Sequence, residues 1–419
     1  MATRALILLE TTRSNGAFYV KAAQRLGLHP IMLSSDPDRY GISTTEDLTV
    51  VRVDTGNIND LILQCSQLRE SYEVAGITSA TESFYSTVGK LCRFFDLPGP
   101  NSASVEQCCD KLIQRKLLSE AGVPIPAYSM AANAAEVRSS AAEIGLPVIL
   151  KPSVGSGGRG VRLCRDADEV SEHAAYLLAM KHNWRSSPEM LVEEFAQGTH
   201  YFAAIMGDEV LGIGAAEYGP PPYFVFRRLI FPAVLTDDEQ NRLREASMNC
   251  LRALGLGWGP TNIEFRWTKH GPVVIEVNPR LAGAPDPQLL QLAFGVDLFT
   301  EHIKLAIGDE WDLRKKHSRT AIAQSLIADG DGTLEWISGD SQAAALPGIA
   351  EVRLYVQPRC PIVNKGDNRD RMGYVVGVSP CLAQTEEIVQ RAIDLIGWSI
   401  TPFSTAGEEE QFGAPDFPD

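Results

Sequence analysis

The chain has 419 residues, 44% hydrophobic and 22% charged, with a formal net charge of −15. This is the composition of an ordinary globular protein of about two to four domains, and the acidic balance opposes nucleic-acid binding, which needs a basic face to displace counterions. No run approaches the ~18 apolar residues of a membrane span, and Ala5–Leu9 is too short for a signal-peptide core, so a cytoplasmic protein with small-molecule substrates and no membrane partner is expected. The eight cysteines are scattered apart from Cys108-Cys109, and the seven histidines have no H-x-x-x-H spacing. Reduced thiols and no zinc site follow.

In chain order, a strand over Ala5–Leu9, a helix over Gly16–Leu26, a strand over Pro30–Ser34, "TVVRVDT", a helix over Asn59–Arg69 and "EVAGITSAT" predict a small doubly wound parallel sheet in residues 1–103. Its first glycine segment, "ETTRSNGAF", lacks G-x-G-x-x-G, and the domain is read as structural rather than cofactor-binding. Pro98, Gly99 and Pro100 break the chain. Ser104 with Gln107 resembles a capping box, predicting one helix to about Glu120 that Gly122 and Pro124 stop. A helix over Ala132–Ile144, strands turning at Gly207-Asp208, a helix over Asp237–Leu254, two acidic strands and a helix over roughly Pro287–Ile307 follow. From Thr333 the chain reads as short strands and one helix, Thr385–Ile396. The boundaries drawn are 104–310, with a lid at about 124–195, and 311–419, with a disordered tail at 404–419.

The stretch "PVILKPSVGSGGRGVRLC", Pro147–Cys164, satisfies G-x-G-x-x-G at Gly155, Gly157 and Gly160. A dinucleotide fingerprint lies between a strand and a helix, whereas β-rich runs flank these glycines on both sides. They therefore read as a hairpin tip whose backbone N–H groups and neighbouring Lys151 suit a nucleoside triphosphate. No Lys-Ser or Lys-Thr follows, which excludes a Walker A loop. A turn without a ligand is the plain alternative.

"TNIEFRW" and "PVVIEVNPR" carry Glu264 in the first and Glu276 and Asn278 in the second. Residues two apart on a strand share a face, so Glu276 and Asn278 aim together. If the strands form a hairpin through Lys269-His270-Gly271, Glu264 joins them in a set of hard oxygen ligands suited to Mg²⁺ or Mn²⁺ with phosphate oxygens. Arg280 continues that face unless Pro279 bends the strand. The alternative is a solvent-facing sheet with Arg280 in a salt bridge.

Taken in order, "DKLIQRKLLSEAGVPIP", the glycine hairpin, "LVEEF" and "NIEFRW…PVVIEVNPRLAG" resemble the ATP and metal motifs of the ATP-grasp superfamily, across Asp110–Gly283. The resemblance implies an α/β fold, α+β in part, with a parallel-sheet N-terminal domain, ATP-grasp lobes under a glycine-rich lid and a C-terminal α+β unit. It implies ATP and two Mg²⁺ (or Mn²⁺) as cofactors. Lys111, Lys151, Ser153, Ser156, Gly157 and Gly158 would serve the phosphates. Glu193 would accept from the adenine amino group, with the backbone of Glu194, Phe195 and Ala196 at the ring edge. Glu264, Glu276 and Asn278 would hold metal, and Arg280 would steady an acyl phosphate, with Gly283 beside the substrate. "NPRLAG" and the C-terminal segment look most like the L-amino acid ligase group, in which a carboxylate takes the γ-phosphoryl group and an amine attacks it; a homodimer is compatible. Two positions depart from the family. His200 stands where a ribose-binding glutamate is usual, and Arg227-Arg228 replaces an acidic step, suggesting a clamp for an acidic substrate or, since neighbours on a strand point to opposite faces, an exposed surface pair. Readings left open are a bicarbonate-using ATP-grasp carboxylase, a nucleotide-binding module without turnover and, on the glycine string alone, a nicotinamide-dependent reductase.

Overall fold

The structure, a computed structural model, describes residues 2–11, 15–40, 48–153, 155, 157–180 and 189–403. The predicted tail lies outside them.

The N-terminal alternation folds as β1 (Thr3–Leu9), α1 (Gly16–Arg25), β2 (His29–Ser34), β3 (Thr49–Arg52), α2 (Ile58–Ser71), β4 (Tyr72–Thr78) and α3 (Glu82–Phe95). The strands form one parallel sheet ordered β3-β2-β1-β4. Ala5–Leu9 are buried on both faces, as a central parallel strand covered by helices requires.

The single helix expected to Glu120 is two: α4 (Ser102–Cys109) and α5 (Lys111–Glu120). Asn101, not Ser104, caps the first, accepting from the Ala103 and Ser104 N–H groups, and Asp110 interrupts the run to cap the second through Leu112 and Ile113. Aspartate competes with the helix backbone for those donors. Lys111 thereby becomes the first residue of a helix.

The lid comprises β5 (Tyr128–Ala131), α6 (Ala134–Ile144), β6 (Val148–Pro152), β7 (Arg162–Cys164), α7 (Ala167–Ala179) and β8 (Met190–Glu194), an antiparallel sheet ordered β5-β8-β6-β7. The glycine stretch is the β6–β7 hairpin, with Val148 opposite Cys164. Gly157 and Gly158 take φ of 66° and 78°, open to glycine at little cost.

The chain then builds an eight-stranded sheet from β9 (Thr199–Met206), β10 (Glu209–Tyr218) and β11 (Phe226–Phe231), followed by α8 (Asp237–Leu254), β12 (Pro260–Thr268) and β13 (Gly271–Asn278). The helix expected over 287–307 is α9 (Asp286–Phe294) and α10 (Leu298–Ala306), parted by left-handed Gly295 and by Asp297, which caps the second. The C-terminal segment supplies β14 (Thr320–Ile327), β15 (Gly332–Ser338), α11 (Asp340–Ala344), β16 (Ile349–Leu354), β17 (Pro361–Ile362), β18 (Arg371–Ser379), α12 (Leu382–Leu395) and β19 (Gly397–Thr401). Strands β14, β18 and β16 continue the large sheet, ordered β13-β12-β9-β10-β11-β14-β18-β16, while β17-β15-β19 form a separate one. The division drawn at residue 310 thus falls between strands of one sheet.

One face of β12 turns Ile263 and Phe265 against Leu243, Cys250 and Leu254 of α8. The other meets α9, α10 and the N-terminal domain, and that face carries the polar side chains. The domain is fastened there by fully buried His302 of α10, whose Nδ1 and Nε2 lie 2.6 and 2.8 Å from the Tyr19 and Tyr85 hydroxyls. Burial lowers the His302 imidazole to about 3, against about 6.5 in an unfolded chain. A group with a depressed folded value keeps its full contribution above the unfolded pKa and loses it as pH falls towards the folded one. Urea unfolding at pH 7 and pH 5 should show a loss of stability on acidification that is smaller in His302→Gln.

Candidate active site

The site is assembled where α5 covers the free edge of β13. Gln114, buried, donates from Nε2 to the Val277 carbonyl at 2.8 Å and accepts the Val277 N–H at 3.0 Å, so its carboxamide stands in for a neighbouring strand. Arg115, one residue on, donates to the Ile275 carbonyl, and Lys111, one turn earlier, pairs with the Glu276 carboxylate. Three consecutive residues of β13 are thus gripped by one helix face. Sequence reading found Lys111 and missed Gln114 and Arg115, although the i, i+3 and i, i+4 spacing put all three on one side.

Across the strand pair, Glu264 stands directly opposite Glu276 and Asn262 opposite Asn278. Opposed residues of an antiparallel pair share a face, so the structure brings the three proposed ligands together with Asn262. The Lys111 and Glu276 side chains are recessed, 17% and 26% exposed. Burial acts to raise the Glu276 carboxyl, but Lys111 and Lys151 outweigh it and hold it below the carboxylate range. Among the described residues no three or more His, Cys, Asp or Glu side chains form a metal-holding group. Two carboxylates and two carboxamides suit Mg²⁺, which keeps waters and takes further oxygens from a bound phosphate.

Above them, Glu193 of β8 lies between two cations. Its Oε1 accepts from Arg115 Nε at 2.7 Å and its Oε2 lies 2.6 Å from Lys151 Nζ. Burial opposes the Glu193 charge, and Lys151 and Arg115 overcome it, holding the carboxyl low. Lys151 shares that one anion with Arg115 and is pulled down by its own burial. Each Glu193 oxygen thus has one cationic partner and keeps a further lone pair. The backbone of Phe195 and Ala196, just past the end of β8, enters no hydrogen bond among the described residues. Their neighbours are aromatic: the Phe195 and Phe224 rings lie 6.1 Å apart, and the Arg266 guanidinium is 5.8 Å from both Phe224 and Tyr218.

The lid tip reaches the same place. Lys111 Nζ lies 3.3 Å from the Gly155 carbonyl, and the Gly157 carbonyl accepts from the Asn368 N–H at 3.1 Å, so flap and C-terminal segment touch. Ser153 donates its N–H to the Glu189 carbonyl, and Gly158 packs near Asp367; Ser156 lies outside the described residues.

His200 Nε2 is 3.4 Å from Glu264 Oε2, so it abuts the carboxylate pair. Arg280 follows the end of β13 at a bend and binds Glu82 of α3 at 2.8 Å, a partner sequence reading did not supply. Gly283 lies in the open turn that leads into α9 and accepts the Asp286 N–H at 3.1 Å. The arginine clamp does not form. Arg228 turns to the α12 side of the sheet and pairs with Glu386 at 2.9 Å, while Arg227 is exposed at a bulge where Glu217 opposes Arg228 and Tyr218 opposes Phe226.

The family model "Carbamoyl-phosphate synthase L chain, ATP binding domain" matches residues 110–212 and 230–314, which include α5, the lid, β12, β13 and Arg280, and "L-amino acid ligase C-terminal domain 2" matches residues 324–401. The chain belongs to the ATP-grasp ligase superfamily. It is an enzyme of the carboxylate–amine ligase class. It is 62% identical to the uncharacterized Sinorhizobium fredii protein y4rH over 416 residues, covering 99% of this chain and 87% of that protein. It is 27% identical to human carnosine synthase 1 over 316 residues, 70% of this chain but only 38% of that protein. Its fold is that of the L-amino acid ligase from Bacillus licheniformis, with a TM-score of 0.79 and 19% identity over 96% of this chain and all of that one. No helix among the described residues is long and apolar enough to cross a membrane.

Replacing Gln114 with Ala leaves the Val277 N–H buried and unpaired, at about 1–3 kcal/mol, and leaves the Val277 carbonyl only the Cys108 thiol at 3.3 Å. Urea denaturation should show that loss, and isothermal titration should show weaker binding of ATP with Mg²⁺, because Glu276 is carried by the same strand.

Proposed function

We propose that this ligase activates a carboxylate as an acyl phosphate and couples it to an amine, giving an amide or dipeptide with ADP and phosphate as the other products. The observation that supports this most is the carboxylate pair on β12 and β13, set below a lid whose buried Lys151 and glycine tip would meet a polyphosphate. In the first step a donor oxygen attacks the γ-phosphorus, the bond to the β-phosphate oxygen breaks and ADP leaves. In the second, the neutral amine forms a C–N bond to the acyl carbon, the C–O bond to phosphate breaks, and one proton is released.

Glu264, Glu276 and Asn278 are the residues that would hold Mg²⁺, which when bound supplies Lewis-acid neutralisation of phosphate charge. Lys111 and Lys151 place fixed cations along the phosphates. Arg280, fixed by Glu82, is positioned to offset the charge that grows on the transferring group and then on the tetrahedral adduct. A carboxylate is a poor electrophile and its acyl phosphate a good one, so these cations promote both steps. The C-terminal match favours an amino-acid-type amine over bicarbonate as the second substrate.

An ADP-release screen of paired acids and amines with Mg²⁺, followed by mass measurement of the product, tests the reading. Release should require both partners and give a product of their summed mass less one water. Release that requires bicarbonate and no amine would establish the carboxylase instead. Arg280→Ala should lower kcat by about 100- to 1,000-fold, the usual loss for a group that stabilises transition-state charge, with a smaller change in the KM for ATP.

A further inference from the structure

Two half-buried charges of opposite sign come from different parts of the chain. Asp286 opens α9 and Arg371 opens β18, and neither side chain forms an ion pair among the described residues. Arg371 donates from Nε to the Asn368 carbonyl at 3.2 Å and places its guanidinium 5.5 Å from the centroid of the Phe226 ring. Phe226 opens β11, and α9 packs against both β11 and β18, the strand that Arg371 opens.

The surroundings of Asp286 agree with this placement. Burial pushes its carboxyl up to about 7, Arg371 works against that, Glu264 adds to it and Arg280 opposes it. Asp286 therefore lies within electrostatic reach of the phosphoryl-transfer residues without being tied to them. Beside it is a cavity of about 10 Å³, lined by Asn262, Arg280 and Asp286 over an apolar floor that includes Phe202 and Leu290. Asn262 is 8% exposed and its Oδ1 has no hydrogen-bond partner. A buried carboxamide oxygen left unpaired costs free energy unless a ligand or water meets it.

A carboxylate and a carboxamide oxygen at one side, and a guanidinium with unused donors at the other, are the complement of a zwitterion. The two oxygens accept from an ammonium, and the fork takes a carboxylate. We infer that Asp286 and Arg371 are specificity-determining residues that select a free α-amino acid as the amine substrate, with Asp286 and Asn262 at the amino end and Arg371 at the carboxylate. This deepens the ligase reading and rests on it. It moves the anion-recognising role from the Arg227-Arg228 pair to Arg371. It also orients the acceptor, since the amino end lies beside Arg280, where the acyl phosphate would form.

The test uses the full chain with ATP, Mg²⁺ and a carboxylate donor, and measures ADP release with each of the twenty L-amino acids supplied as the free acid and as its amide. Wild-type protein should prefer the free acids. Arg371→Gln should raise the KM for free acids by about 10- to 100-fold, the loss of a hydrogen-bonded charge, and leave the amides unchanged, so that the preference disappears. Arg371→Lys, which keeps the charge and loses the fork, should lie between. Asp286→Asn should raise the KM for both forms alike, since both carry the amino group, with the KM for ATP and for the donor unmoved. An unchanged ratio of acid to amide in Arg371→Gln, or an equal fall in kcat for every acceptor, overturns the assignment. Wild-type protein that releases no ADP with any mixture overturns the ligase reading itself, before any variant is compared.

Discussion

The grip of α5 on the edge of β13 is the constraint on which the rest of the site depends. An edge strand presents unpaired N–H and carbonyl groups, which need partners when buried. Here Gln114 and Arg115 supply them, and Lys111 takes the carboxylate of the residue between. The register of β13 with β12 then sets Glu276 against Glu264. A shift of β13 by one residue would turn Glu276 onto the α8 side of the sheet, away from Glu264. Structural and proposed chemical roles coincide because the same helix face that satisfies the strand edge also carries Lys111, the cation proposed to meet the phosphates.

The lid is coupled to that arrangement through a single buried anion. Glu193 receives Arg115 from below and Lys151 from its own sheet, so a residue of the lid is charge-paired to the helix that holds β13. Removing either cation would leave a buried charge partly uncompensated, which is costly. The arrangement therefore fixes where Lys151 points before any nucleotide arrives, and preorganised charge is what phosphoryl transfer demands of a protein. The C-terminal segment takes part as well. Its β14, β18 and β16 extend the large sheet, and Asn368 touches the flap, so the region matched by the L-amino acid ligase C-terminal family adjoins the cleft.

Much of this was legible in the sequence where the determinants are local. The parallel opening, the glycine hairpin and the opposition of Glu264 and Glu276 follow from period-2 patterning, turn residues and short connections. The two helix breaks were missed because Asp110 and Asp297 read as ordinary helix-surface residues until their side chains are seen to cap. Arg115 was within reach of spacing arguments, being four residues from Lys111. Glu82, Asp286 and Arg371 were not, because their partners lie on elements far apart in the chain and no periodic signal records such pairings. The Arg227-Arg228 clamp failed for the reason that strand alternation gives: adjacent residues point to opposite faces unless a bulge intervenes, and here the bulge leaves one exposed and the other under α12.

The central claim is that one divalent ion rides between Glu264 and Glu276 with its nucleotide. Crystals grown with a non-hydrolysable ATP analogue and Mn²⁺ locate that ion directly by its anomalous scattering. The account predicts a peak about 2.1 Å from a carboxylate oxygen of each glutamate, with Lys111 moved from Glu276 to the phosphates. A peak bound to neither glutamate, with Lys111 still paired to Glu276 beneath an ordered nucleotide, would contradict it.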